Sequence, residues 1–222
     1  MSNDHLDHKE RRRFVDPAEI DPRLWEELSG REVNEVCVRA SVQFDRERDC
    51  YLVPFLNRTY AVLPRERRID RRYHRGEERL SFQFYLVLLT YLLRARSLGL
   101  FGRMVTGAEL RGGAFFFRGN HALFTGPLEQ RFGTDSKAFL EAGLRLGGSK
   151  TDFGDVSFRL WPLPRVPLGY MLWSSDEEFP ARVVVAFDAS IAEHLPFDVI
   201  WALVNEVGGK LLDEARSMEQ KA

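Results

Sequence analysis

Val166-Pro-Leu-Gly-Tyr-Met-Leu-Trp173 and Ala181-Arg-Val-Val-Val-Ala-Phe187 are the stretches whose reading decides the fold. Both are apolar runs rich in β-branched and aromatic residues, and the polar segment Ser174-Ser-Asp-Glu-Glu-Phe-Pro180 separates them. That pattern is a β-hairpin with an acidic tip carrying Asp176, Glu177 and Glu178. Val156–Leu163 supplies a third strand on the N-terminal side. Pro162, Pro164, Pro167 and Pro180 fall near strand ends, where a missing N–H is tolerated. The sheet is expected to be antiparallel.

Outward from this unit the period changes. Phe82–Leu93 is apolar nearly all round, which marks a buried central helix. Ser81 is placed to cap it, it runs to about Arg96, and Gly99 follows its end. Arg94 and Arg96 sit where the helix dipole favours cations. At the other end of the chain, Ser190-Ile-Ala-Glu193 fits a capping box, and Phe197–Ala215 reads as a terminal helix. Asp21-Pro22 opens a short helix through Leu28, and Glu32–Ala40 a second. Gln43–Asp45, Cys50–Phe55 and Thr59–Leu63 read as a three-strand antiparallel meander. Pro64–Arg79, the most charged interval, reads as an exposed connection. Ala114–Phe117 is a brief aromatic strand or tight passage, Pro127 and Gly133 frame a short helix, and Thr134 caps Asp135–Leu146.

Helices and strands in separate runs, without alternating βαβ units, give an α+β fold. One domain is expected: an antiparallel sheet, made of the N-terminal meander and the C-terminal three-strand unit, packed on the central and C-terminal helices. It spans residues 22–215, between a charged lead (1–21) and a polar tail (216–222).

The chain has 222 residues, 44% of them hydrophobic, enough for one sizeable core. A formal net charge of −1 gives no global field for nucleic acid or an anionic membrane. Arg-rich 65–79 is interspersed with Glu66, Asp70, Glu77 and Glu78 and reads as a solvated face. No stretch reaches the ~20 apolar residues of a membrane span, and no apolar leader follows Met1, so a cytoplasmic chain is expected. Cys37 and Cys50 are the only cysteines, without metal-ligand spacing, so neither a chain-borne iron–sulfur cluster nor a structural zinc is expected.

A further set of motifs runs through the second half. It comprises Gly112-Gly-Ala-Phe-Phe-Phe-Arg-Gly-Asn-His121, Leu128-Glu-Gln-Arg-Phe-Gly133, Phe139-Leu-Glu-Ala-Gly143, Gly154-Asp155 and Leu163-Pro-Arg-Val-Pro167. Trp173, Asp176-Glu-Glu-Phe-Pro180, Phe187-Asp188 and His194-Leu195 complete it. In this order they resemble the domain of unknown function 3786 family, with Ser175 standing where that family often has glycine. The resemblance implies an uncharacterised prokaryotic family, some of whose members carry an iron–sulfur domain. It implies a link to redox or corrinoid metabolism; this chain itself lacks the cysteines of a cluster.

Two constellations could carry chemistry. Arg118-Gly-Asn-His121 places a cation and an imidazole just after Phe115–Phe117. With Phe116, Asp155 and Arg165 this makes a candidate site for a small anionic or cofactor-like ligand. The bland alternative pairs Arg118 with Asp155 or Asp188. The acidic turn, with His121, could hold a hard cation for hydrolase or transferase chemistry through Asp176, Glu177 or Glu178. Its alternative is a turn in which Asp176 accepts backbone N–H groups. Arg165 is either a ligand clamp or a structural partner, and His194 reads as a helix-end hydrogen bonder. The leading expectation is a small-ligand-binding accessory protein. The others are a metal-assisted enzyme and an interaction module for a redox or corrinoid partner.

Overall fold

The computed structural model describes residues 19–72 and 79–220. It is α+β: among these residues there are eight helices and two antiparallel sheets of four and five strands. Helices α1 (Pro22–Ser29) and α2 (Val33–Ala40) lead into strands β1 (Gln43–Asp45), β2 (Cys50–Phe55), β3 (Arg58–Leu63) and β4 (Arg68–Arg71). The central helix α3 (Phe82–Arg94) follows, then β5 (Met104–Thr106), α4 (Gly113–Phe116), α5 (Gly126–Phe132) and α6 (Ser136–Arg145). Strands β6 (Ser149–Thr151), β7 (Val156–Leu163), β8 (Val166–Trp173) and β9 (Arg182–Asp188) precede α7 (Ile191–His194) and the long α8 (Phe197–Glu219).

The smaller sheet runs β1-β2-β3-β4 and the larger β5-β9-β8-β7-β6. The hairpin register is Trp173 opposite Arg182 and Leu168 opposite Phe187. One contiguous core joins both sheets to α3 and α8 and includes Tyr60, Phe84, Tyr91, Phe158, Tyr170 and Leu203. Asp21 caps α1 by accepting the Arg23 N–H (2.9 Å), and Ser81 caps α3 by accepting that of Phe84 (3.0 Å). The almost wholly apolar α3 is buried between α1, α2 and α8, as its lack of a polar face requires.

Several sequence expectations are corrected. The meander has a fourth strand, β4, inside the interval read as a connection. Buried Ile69 pulls that segment onto the sheet opposite Val62. Beyond it, residues 73–78 lie outside the described residues, as does most of the charged lead. The larger sheet gains two three-residue edge strands, β5 and β6, too short for a period-2 signal. Ala114–Phe117 belongs to a single helical turn, not a strand. It is held by Gly113, whose missing Cβ would lie 2.0 Å from the Gly107 carbonyl oxygen. Gly113 therefore serves a close backbone approach, and Gly112 before it a left-handed φ of 87°. Asp135, not Thr134, caps α6 (2.9 Å to the Ala138 N–H). Ser190 forms no capping box, because its hydroxyl donates to Asp188 instead (2.6 Å). No helix among the described residues is long and apolar enough to cross a membrane.

Candidate functional site

The Arg118–His121 loop is held by aromatic packing. Phe117 lies against Phe187 (ring centroids 6.5 Å) and Phe197 (5.4 Å), fixing the loop between β9 and the start of α8. His121 stacks on Phe116 (4.6 Å) and meets the edge of Trp201 (5.6 Å), whose indole N–H donates to the Ala122 carbonyl (3.2 Å). Arg118 sits over the Phe115 ring at 5.6 Å, and that ring is 83% exposed. Phe116, Arg118 and His121 thus come together, on an open shelf.

The remaining candidates lie elsewhere. Arg165 occupies the two-residue β7–β8 turn, at the opposite end of β8 from the acidic tip. An eight-residue strand separates them by ~26 Å at ~3.3 Å per residue. The Arg165 guanidinium is spent on backbone. Its Nε donates to the Arg39 carbonyl (2.7 Å), Nη1 to Leu98 (3.1 Å) and Nη2 to Val38 (3.0 Å). Two of those carbonyls lie in the last turn of α2, so Arg165 is a C-terminal cap supplied from a distant hairpin. Its backbone N–H donates to the Tyr91 hydroxyl (3.2 Å), which itself donates to Ala40 (2.7 Å). Burial pushes the Tyr91 phenol well up, against the opposing pull of Arg165, so it stays a donor.

Asp155 accepts the Ser174 N–H (2.8 Å) and braces the entry to the acidic turn. Within that turn, Asp176 Oδ1 accepts the N–H groups of Glu178 (2.8 Å) and Phe179 (2.7 Å). These two bonds hold its carboxyl below the usual carboxylate range. This is the Asx-type turn, and its carboxylate is spent on backbone. His121 belongs with Phe116, in the loop anchored at the Phe187 end of β9, while the acidic turn adjoins the Arg182 end. Among the described residues no group of three or more His, Cys, Asp or Glu could hold a metal ion. The metal reading built on His121, Asp176, Glu177 and Glu178 therefore has no converging donor set.

The pairing of Arg118 with Asp155 or Asp188 is also corrected. Asp188 is 2% exposed, and its carboxylate accepts from the N–H groups of Phe101 (2.9 Å), Gly102 (2.8 Å) and Ser190 (3.0 Å) and from the Ser190 hydroxyl. Burial pushes its pKa up, but the Ser190 bonds and then those of Phe101 and Gly102 outweigh it and hold the group below its ordinary value.

A cavity of about 530 Å³ opens elsewhere, between α1, the end of α3 and α7. Its charged lining is Glu27, Arg31, Arg94, Arg96 and Glu193, and its apolar lining is Leu93, Ala192, Leu195 and Pro196, with His194 completing the wall. The size falls within the range of small-molecule sites. Arg31 pairs with Glu27 (2.5 Å) one turn away, and Arg96 pairs with Glu193 (2.5 Å). His194 is 1% exposed; its Nδ1 accepts the Arg96 N–H (3.2 Å), which assigns the ring proton to Nε2. That buried Nε2 has no hydrogen-bond partner among the described residues. Burial first, then the charge of Arg165, lowers the His194 pKa, so the ring is neutral near pH 7.

Sequence reading located the pieces of this cavity without joining them. Arg94 and Arg96 stood out only as dipole partners and His194 as a helix-end hydrogen bonder, because 98 residues separate Arg96 from His194. An apolar helix ending in two arginines, facing a His-Leu-Pro corner, is the signal that was there to be used.

No curated protein and no solved structure matches the chain. A family match spans residues 32–208, taking in the hairpin, the Arg118–His121 loop and the α3 and α7 walls of the cavity, with α1 ahead of it. It covers most of the 222 residues, and the chain belongs to the family described as Domain of unknown function (DUF3786).

Proposed function

We propose that the protein is a small-ligand-binding accessory protein whose ligand occupies the cavity between α1, α3 and α7. One observation carries this reading: a cavity of about 530 Å³ that sets three arginines beside an apolar corner. Five charged residues and His194 outnumber the four apolar ones in the wall, a lining that suits a charged ligand.

Thermal-shift screening of the full chain against a metabolite and cofactor library tests it. Stabilising compounds are expected, and Ala192→Trp, which places a bulky ring at the cavity wall, should abolish their effect while Phe115→Ala leaves it intact. Hits that survive Ala192→Trp, or no hits at all, would sink the reading.

The exposed Phe115 favours a second reading, a partner-binding shelf. Arg118 lies over that ring, and residues 110–128 hold no carboxylate. The matching partner surface is acidic. Phe115→Ala combined with Arg118→Ala should remove a stoichiometric partner captured by the wild-type chain; an unchanged set of captured proteins rejects the shelf.

A further inference from the structure

We infer that the cavity between α1, α3 and α7 selects a small organic monoanion, a carboxylate carrying an apolar body, with Arg94 as the group that binds the charge. This rests on the reading of the cavity as a ligand site and goes further, to the class of ligand.

The charges decide it. Three arginines face two glutamates, an excess of one positive charge. Arg31 is neutralised by Glu27 and Arg96 by Glu193. Arg94 is the lining cation without an ion pair among the described residues. His194 adds no second charge, because its Nδ1 accepts a backbone N–H and the ring is neutral. A monoanion therefore matches the excess as the cavity stands, whereas a dianion exceeds it by one charge.

The end of a helix ordinarily repels an anion, since its last carbonyls point outward. Here the carbonyls of Leu93 and Ala95 are both occupied by Arg39 Nη1 (3.1 and 3.2 Å). A second helix thus supplies the cation that quiets the end of α3, and Arg94 is left to face the ligand. Its planar fork suits a carboxylate held through two parallel bonds. Leu93, Ala192, Leu195 and Pro196 give the apolar body a surface to cover. A neutral molecule would draw nothing from the exposed Arg94 charge, and a cation would add to the excess.

Titration calorimetry with the full chain at pH 7.5 tests the assignment, using benzoate, hexanoate, benzyl alcohol, phenyl phosphate and benzylammonium as probes. Benzoate or hexanoate should bind at least tenfold more tightly than the other three. Arg94→Ala should weaken that binding tenfold or more at unchanged melting temperature, and Arg94→Lys by less. Tightest binding of phenyl phosphate, benzyl alcohol or benzylammonium that Ala192→Trp abolishes would overturn the monoanion assignment and leave the cavity as a ligand site. Carboxylate binding unchanged in Arg94→Ala overturns the role of Arg94. No binding by any probe, beside library hits that Ala192→Trp abolishes, overturns the ligand class alone. No binding by any probe and no library hits overturns the site itself.

Discussion

Arg165→Ala is expected to lower the unfolding free energy by about 3–4 kcal/mol, read as a shift in the urea midpoint at unchanged slope. The side chain makes three hydrogen bonds to the carbonyls of Val38, Arg39 and Leu98, and bonds donated by a charged group are worth roughly 1.5–3 kcal/mol each. The sum is discounted because the guanidinium is only part-buried and water can reach some of the freed carbonyls. Tyr91 and Ala40 are tied into the same junction through the Arg165 N–H, which survives the substitution. Arg165→Lys should recover less than half of the loss, because an ammonium cannot span three divergent carbonyls. A loss below about 1 kcal/mol for the alanine variant would show the clamp to be incidental.

Asp188→Ala should cost about 3–5 kcal/mol, because it strands donors from Phe101, Gly102 and Ser190 that one buried carboxylate now collects. Asp188→Asn should cost less, roughly 2 kcal/mol. An amide oxygen in the Oδ1 position keeps the Phe101 and Ser190 bonds, while the NH₂ group is set against the Gly102 N–H. The pH dependence carries a definite sign. A depressed folded-state pKa stabilises the protein above the ordinary carboxylate value of 3.8, and that stability is lost as pH falls through the folded value. Wild type should therefore lose stability below about pH 4 more steeply than Asp188→Asn, measured by urea unfolding at a series of pH values. Parallel acid limbs for the two proteins would contradict the assignment of Asp188.

Much of the architecture was legible along the chain. The apolar runs around Tyr170 and Val185, the all-round apolar surface of Phe82–Leu93 and the caps at Asp21 and Ser81 each follow from local composition or local hydrogen bonding. The edge strands β5 and β6 were not legible, since three residues carry no periodicity and pairing with β9 and β7 defines them. Gly113 shows the same limit: it reads as half of a flexible pair, yet the approach of Gly107 is what excludes a side chain there.

The candidate site divides along the same line. Sequence alone determined an α+β chain with an acidic hairpin tip and an aromatic run followed by Arg118 and His121, because strand period, helix period and turn chemistry act over a few residues. Tertiary structure decided what those groups do. It set Arg165 and the acidic turn at opposite ends of one strand and spent Arg165 and Asp176 on backbone atoms. It brought Arg31, Arg94, Arg96 and His194 around one cavity from three separate segments. The physical reason is that a charged group's role depends on which donors and acceptors remain unpaired around it once the chain has folded, and that is settled by residues far away in sequence.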